Sequence, residues 1–121
     1  MKSILLIILT STIIFSFSTE KNCSYFKTGR FRYKNSNYSG WIVTRKNNIQ
    51  IESNKTLNLT VEGTVKWKSE CEYELTYTKA QSKNLIGKKV FVKITNIKGS
   101  TIMCNSICEG KELNLEMEKI D

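Results

Sequence analysis

LNLTVEGTVKWKSECEYELTY, residues 57–77, alternates apolar and polar side chains over most of its length. A period of two is the pattern of a β-strand with one buried face and one face in water. The segment therefore predicts antiparallel strands, with turns at Gly63 and at residues 68–70. The apolar positions that we expect to share the buried face are Leu57, Leu59, Val61, Val65, Trp67, Cys71, Tyr73, Leu75 and Tyr77.

The same alternation continues along the rest of the chain after residue 28. In residues 48–52, Ile49 and Ile51 form the apolar set, and they alternate with Asn48, Gln50 and Glu52. No stretch has helical periodicity of any length, so the whole pattern predicts about eight short strands joined by tight polar turns. The other alternating segments are residues 29–34, 90–95, 102–108 and 113–118, and residues 41–44 form an ambiguous strand that is apolar on both sides.

Short consecutive strands of this kind favour an all-β fold, a small antiparallel up-and-down β-barrel of about eight strands, because full closure leaves no exposed sheet edge. A five-stranded barrel like the OB-fold is the alternative. One segment, KAQSKNLIGK at residues 79–88, breaks the alternation. It predicts a long loop or a single helical turn, which serves either as a lid or as a plain connection.

The first eighteen residues, MKSILLIILTSTIIFSFS, predict an export signal. Lys2 precedes an apolar run without an acidic residue, and the small residues Ser16 and Ser18 form a cleavage site, which we place after Ser18. A membrane anchor is the alternative, but the run is shorter than the roughly 20 apolar residues of a spanning helix. Residues 19–121 then form a single domain. We expect it to be periplasmic or secreted, with no transmembrane span after cleavage.

Four cysteines follow the predicted signal, in a compartment where thiols are oxidised. They allow three pairings. Our first choice joins Cys23 to Cys71, which ties the start of the domain to its middle. If Cys104 and Cys108 share one extended strand, they lie roughly 13 Å apart at about 3.3 Å per residue, beyond the reach of a disulfide. These two cysteines pair only if the chain turns between them.

The composition argues against catalysis and against metal binding. The chain contains no histidine, and Asp121 is its only aspartate. A cysteine or serine nucleophile would lack the imidazole base that commonly activates it. A zinc site would have to be built from cysteines that lack the paired short spacing of such sites. We therefore expect a noncatalytic protein with no metal and no cofactor.

The chain after Ser18 is basic, since nineteen lysines and arginines less Lys2 leave eighteen against eleven acidic residues, a formal charge of +7. Such a surface attracts anionic partners, here an anionic component of the cell envelope. A general compositional bias towards lysine is the alternative. Basic and aromatic residues interleave as they would on a nucleic-acid-binding surface. A strand with one buried and one solvent-exposed face produces the same pattern, so we do not expect nucleic acid as a partner. The candidate basic patch is Arg30, Arg32, Lys34, Lys66 and Lys68.

Three segments carry a family resemblance: NCSYFKTGRF at residues 22–31, VKWKSECEYEL at residues 65–75 and EKID at residues 118–121. They are similar to small exported bacterial proteins with lipocalin-like (calycin-like) barrels and no established function. The resemblance implies that barrel and a shared disulfide between Cys23 and Cys71, to which Cys104 and Cys108 are additional. Some members carry the label of a DNA topoisomerase IV subunit, but a domain of this size has no room for ATP-binding and strand-cleaving domains.

An eight-stranded barrel encloses either packed side chains or one small ligand. We predict that the protein binds a small apolar ligand in the barrel or at its mouth. For the lining side chains themselves we favour a filled interior, because a short chain has little core to spare. Recognition of an anionic envelope component or a partner protein by the basic patch is the functional alternative. The candidate lining residues are Phe31, Tyr33, Trp41, Trp67, Tyr73, Val92 and Met117.

Overall fold

The computed structural model describes residues 21–121, so the export signal predicted at residues 1–18 lies outside the described residues. No helix within residues 21–121 has the length and apolar character needed to cross a membrane. The strands are β1 (Gly29–Tyr33), β2 (Trp41–Lys46), β3 (Ile49–Asn54), β4 (Leu59–Ser69), β5 (Glu72–Lys79), β6 (Lys89–Lys98), β7 (Thr101–Cys108) and β8 (Lys111–Lys119). Short 3₁₀ helices lie at Cys23–Phe26, Ser36–Tyr38 and Lys83–Leu85.

The eight strands form a closed antiparallel barrel in which every strand pairs with the next one along the chain. β8 returns to β1 and closes the barrel, with Phe31 opposite Lys119 and Tyr33 opposite Met117. The prediction of an all-β, up-and-down barrel of about eight strands is confirmed, and the five-stranded alternative is wrong. Simple alternation favoured this outcome because each strand needs one face inside the barrel and one face in water.

The two ends of the barrel are built differently. The closed end carries the short turns after β2, β4 and β6, together with the 3₁₀ helix Cys23–Phe26. Phe26 is fully buried there, and a disulfide joins Cys23 to Cys71 in the β4–β5 turn, with Cα atoms 5.3 Å apart. The first-choice disulfide is therefore confirmed. The open end carries the longer connections, at residues 34–40 and 80–88, and the turns after β3 and β7.

The β2–β3 hairpin determines which side chains of β3 enter the barrel. Its two turn residues, Asn47 and Asn48, have φ values of 54° and 63°. Positive φ at both positions is typical of the tight type I′ turn, which sets the register of the two strands. In that register Val43 lies opposite Glu52 and Arg45 lies opposite Gln50. Directly opposed residues share one face of a sheet.

Because Val43 is fully buried in the core, the residues that share its face also point inward. The prediction that Ile49 and Ile51 form the buried face of β3 is therefore wrong. Ile51 is 37% exposed on the outside, whereas Gln50 and Asn54 are buried. The polar half of an alternating strand has entered the barrel, and the apolar half faces water.

Three details of residues 57–77 also differ from prediction. The turn expected at Gly63 does not exist, because β4 runs through this residue from Leu59 to Ser69. A bulge at Gly63 brings the chain so close to β5 that an added Cβ would lie 2.6 Å from the Thr76 carbonyl oxygen. Leu57 precedes the strand and is exposed, and Cys71 lies in the turn after β4. The close approach at Gly63 requires a residue without a side chain.

The break in the alternation at residues 79–88 lies between β5 and β6, as the pattern predicted. It contains the 3₁₀ helix Lys83–Leu85. Two backbone hydrogen bonds tie the base of the loop to the sheet: Tyr77 N–H donates to the Lys88 carbonyl, and Gly87 N–H donates to the Tyr77 carbonyl. The loop is therefore anchored at the open end of the barrel.

Candidate ligand-binding site

The barrel contains a cavity of about 510 Å³ at its open end. Small-molecule sites in proteins typically measure about 300–1,000 Å³ and are lined mainly by apolar and aromatic side chains. The rings of this cavity belong to Tyr33, Tyr38, Trp41, Tyr73 and Tyr77, and its aliphatic and thioether wall to Leu75, Leu85, Val90, Val92, Leu113, Leu115 and Met117. The remaining lining residues are Gln50, Glu52, Cys104, Ser106, Cys108, Glu109 and Lys111. The side chains of the barrel therefore do not fill its interior.

Most of the predicted lining residues do face this cavity. They are Tyr33, Trp41, Tyr73, Val92 and Met117. Phe31 and Trp67 do not line it, because both rings pack against neighbouring side chains. Phe31 is fully buried below the Arg45 guanidinium, at 4.4 Å, and Trp67 packs on Tyr73 with ring centroids 4.7 Å apart.

A buried arginine lies between the closed end and the cavity. Arg45 is only 2% exposed. Its Nη1 donates to Gln50 Oε1 at 2.9 Å and to the Tyr73 hydroxyl at 3.0 Å, and its Nη2 donates to the Phe26 carbonyl at 2.9 Å. The guanidinium also lies over the rings of Phe31 and Tyr73. These contacts hold the charge inside the protein, and Arg45 does not line the cavity.

Glu52 connects the hydrogen bonds of Arg45 and Gln50 to the surface of the cavity. Gln50 Nε2 donates to Glu52 Oε2 at 2.6 Å, and the Tyr77 hydroxyl lies 3.3 Å from each carboxylate oxygen. Burial raises the pKa of the Glu52 carboxyl above its ordinary value, although hydrogen bonds from Gln50 and Tyr77 and the charge of Arg45 act in the opposite direction. Burial therefore disfavours the charged form of Glu52 more than its hydrogen bonds and Arg45 favour it.

The tyrosines around Glu52 are neutral hydrogen-bonding groups. Burial and then the negative charge of Glu52 raise the pKa of both Tyr33 and Tyr77 above the ordinary tyrosine value. Burial also raises the pKa of Tyr73. These hydroxyls stay protonated at neutral pH and can donate to a ligand or to Glu52. The cavity thus combines apolar walls with a small number of polar groups, which suits orientation of one bound molecule.

Sequence reasoning missed the polar network of Arg45, Gln50 and Glu52, and it left Tyr38, Tyr77 and most of the aliphatic wall out of the candidate lining. The strands β2 and β3 were recognised, but the apolar set of β3 was its isoleucines. The pair Asn47-Asn48 could have indicated the inward face of β3, because a two-residue turn at that point places Glu52 opposite Val43.

The candidate basic patch does not form one surface. Lys66 and Lys68 lie on β4, which β2 and β3 separate from β1. The three bases of the β1 segment face acidic residues near or on β8 instead, so their charges are balanced along the seam that closes the barrel. The pairs are Arg30–Asp121 (2.9 Å), Arg32–Glu118 (2.7 Å) and Lys34–Glu116 (4.0 Å). The prediction of one contiguous patch is wrong, because these bases lie on strands at different positions around the barrel.

The two remaining cysteines, Cys104 and Cys108, are unpaired and line the cavity from one face of β7. This arrangement agrees with the expectation that an extended strand keeps them apart. Within residues 21–121 there is no group of three or more potential ligands that could hold a metal ion.

The two thiols should differ in reactivity. Cys104 is 1% exposed, and burial raises the pKa of its thiol to about 11, so little thiolate exists at pH 8. Cys108 lies half-buried near the mouth. We expect iodoacetamide at pH 8 to alkylate Cys108 at least about tenfold faster than Cys104 in the folded protein. Mass spectrometry of timed digests measures both rates, and equal rates in folded protein would contradict this assignment of burial.

No protein-family model, no curated protein and no solved structure matches this chain.

Proposed function

We propose that this protein binds a small, largely apolar ligand inside the barrel and is not a catalyst. The observation that carries the proposal is the cavity of about 510 Å³ with aromatic and aliphatic walls. Apolar surface of this extent, kept open by a closed barrel, favours a guest that removes it from water. The polar groups around Glu52 would orient the guest, and the apolar walls would supply most of the binding free energy.

The ligand would enter at the open end. The opposite end is blocked by the 3₁₀ helix Cys23–Phe26, with Phe26 fully buried and Cys23 held by its disulfide. Parts of the rim come from the longer connections, through Tyr38 and Leu85. The ring of Tyr38 packs on that of Tyr33, with centroids 5.4 Å apart. Since connections move more readily than strands, rim side chains are the ones that would adjust to admit a ligand.

We also propose that the protein is exported by the signal at residues 1–18 and that it belongs with the lipocalin-like exported proteins that its sequence resembles. The disulfide between Cys23 and Cys71 supports export, because disulfides persist in oxidising compartments. The eight-stranded up-and-down barrel supports the relationship to lipocalin-like proteins. A ligand would then be met in the periplasm or outside the cell.

A tryptophan that fills the cavity should abolish binding. Leu115 lines the cavity from β8, so Leu115→Trp would place an indole in the ligand space. We expect the affinity for the neutral apolar dye N-phenylnaphthylamine to fall at least about tenfold, because the dye and the indole compete for one volume. Fluorescence titration of the dye into purified protein measures the change.

The matched control is Ile107→Trp. Ile107 lies on β7 near the same end, but it is 40% exposed and does not line the cavity. This variant should bind the dye like the unaltered protein. If both variants lose the dye equally, or if the unaltered protein does not bind it, the proposed function fails. Circular dichroism and thermal melting of each variant show whether a loss of binding reflects a loss of folding.

A further inference from the structure

We propose, on the basis of the ligand-binding function above, that the ligand is an organic cation: an amine that meets the Glu52 carboxylate, on an apolar body that packs against the aromatic walls. The proposal names the chemical class of the guest from the charges that face the cavity. It goes beyond a general apolar ligand because one charged side chain, Glu52, lies among apolar and neutral polar lining residues in the interior of the cavity.

Glu52 is the one acidic side chain in the depth of the cavity wall described here. The other acidic lining residue, Glu109, lies in the β7–β8 turn at the mouth and is already paired with Lys88, at 2.9 Å. The one cationic lining residue, Lys111, also lies at the mouth, where β8 begins. A guest inside the barrel therefore meets a carboxylate without meeting a basic side chain of the wall.

Arg45 does not complete this charge pair. Its Nη atoms donate to Gln50, Tyr73 and the Phe26 carbonyl, and its hydrogen bonds reach Glu52 only through the Gln50 amide. Burial keeps the pKa of the Glu52 carboxyl raised even with Arg45 nearby. The hydrogen bonds that Glu52 accepts come from neutral groups, Gln50 and Tyr77. A poorly solvated carboxylate without a cationic partner is unfavourable, and a cation placed against it would remove that cost.

The aromatic walls suit the same guest. Tyr33, Trp41, Tyr73 and Tyr77 present rings to the cavity that also contains the Glu52 carboxylate. The faces of such rings attract cations, most strongly where water is excluded. The protein already uses this interaction at Arg45, whose guanidinium lies over Phe31 and Tyr73. An amphipathic anion such as a fatty acid would instead place its carboxylate near Glu52, and the two like charges would repel.

A matched series of ligands tests the charge directly. Octylamine, octanol and octanoate share one apolar chain and differ in the charge of the head group at pH 7. Displacement of N-phenylnaphthylamine from the full-length folded protein measures their affinities. We expect octylamine to bind at least about tenfold more tightly than octanol, because it adds a charge-assisted hydrogen bond in a poorly solvated site, and octanoate to bind most weakly.

Two substitutions show whether Glu52 causes the preference. In Glu52→Gln the affinity for octylamine should fall to within about twofold of the affinity for octanol, since the isosteric amide has no charge. Glu62→Gln is the matched control, because Glu62 lies on the neighbouring strand β4, pairs with Lys79 at 3.8 Å and does not line the cavity. The preference for octylamine should survive in this control.

The outcomes separate this inference from the proposed function. If the dye and octanol bind but octylamine has no advantage, or if octanoate binds best, the inference is overturned and the binding function stands. If neither the dye nor any chain binds, the binding function fails. Should Glu52→Gln not fold, a crystal structure of the unaltered protein with octylamine decides: nitrogen within hydrogen-bond distance of Glu52 supports the inference, and nitrogen at Glu109 overturns it.

Discussion

Replacing both Cys23 and Cys71 by serine should lower the free energy of unfolding by about 4 kcal/mol. The disulfide spans 48 residues of sequence, and the entropy lost by the unfolded chain on closing a loop of that length accounts for this value. The bond also holds the 3₁₀ helix Cys23–Phe26 against the closed end, where Phe26 has no exposed surface. Urea denaturation followed by tryptophan fluorescence measures the loss.

Cys108→Ser is the matched control for the disulfide. Cys108 is unpaired and half-buried, so its replacement by serine should change stability by less than about 1 kcal/mol. A double serine variant as stable as this control would show that packing alone retains the helix at the closed end. Mass measurement before and after reduction confirms which thiols are bonded in each sample.

Arg45→Met should cost about 3 kcal/mol or more of stability. Methionine preserves the length of the apolar stem, but the change leaves Gln50 Oε1, the Tyr73 hydroxyl and the Phe26 carbonyl without their donor. Each buried polar group that loses its partner costs about 1–3 kcal/mol. The substitution also removes the positive charge that favours ionised Glu52, so the pKa of that carboxyl should rise further.

Arg32→Met provides the comparison with an exposed arginine. Arg32 lies on β1 and pairs with Glu118 at 2.7 Å, but more than half of its side chain is exposed. Exposed ion pairs contribute about 0–1 kcal/mol, so this variant should lose less than about 1 kcal/mol in the same urea titration. Equal losses in the two variants would mean that the network around Arg45 adds nothing beyond a surface pair.

Most strands were predictable because they keep a period of two, although β2 begins with the consecutive apolar residues Trp41, Ile42 and Val43. The period of two does not show which face of β3 is buried in the barrel. By hydropathy alone Ile49 and Ile51 would be the buried residues of β3, yet the Asn47-Asn48 turn places Glu52 opposite the buried Val43. Hydropathy describes each strand by itself, whereas the face depends on register with a neighbour, and one residue of register reverses the outcome.

The residues of the candidate site were also predictable only in part. Aromatic lining residues such as Tyr33, Trp41 and Tyr73 were predictable because rings on the apolar face of a barrel strand can hardly point elsewhere. Glu52 was not, because a carboxylate on an alternating strand usually faces water. The bulge at Gly63 was mistaken for a turn for a related reason, since glycine accompanies both a reversal of the chain and a close approach of two strands.

The closed circle of strands also limits how another protein could attach. An open sheet recruits a foreign strand through the unpaired amides and carbonyls at its margin. In the described barrel the edge groups of the first and last strands are already paired with each other. Arg30 N–H donates to the Asp121 carbonyl, Ile120 N–H to the Arg30 carbonyl, and Lys34 N–H to the Glu116 carbonyl. A partner of the described barrel must therefore recognise side chains or the rim of the mouth, because no strand offers its backbone for β-augmentation.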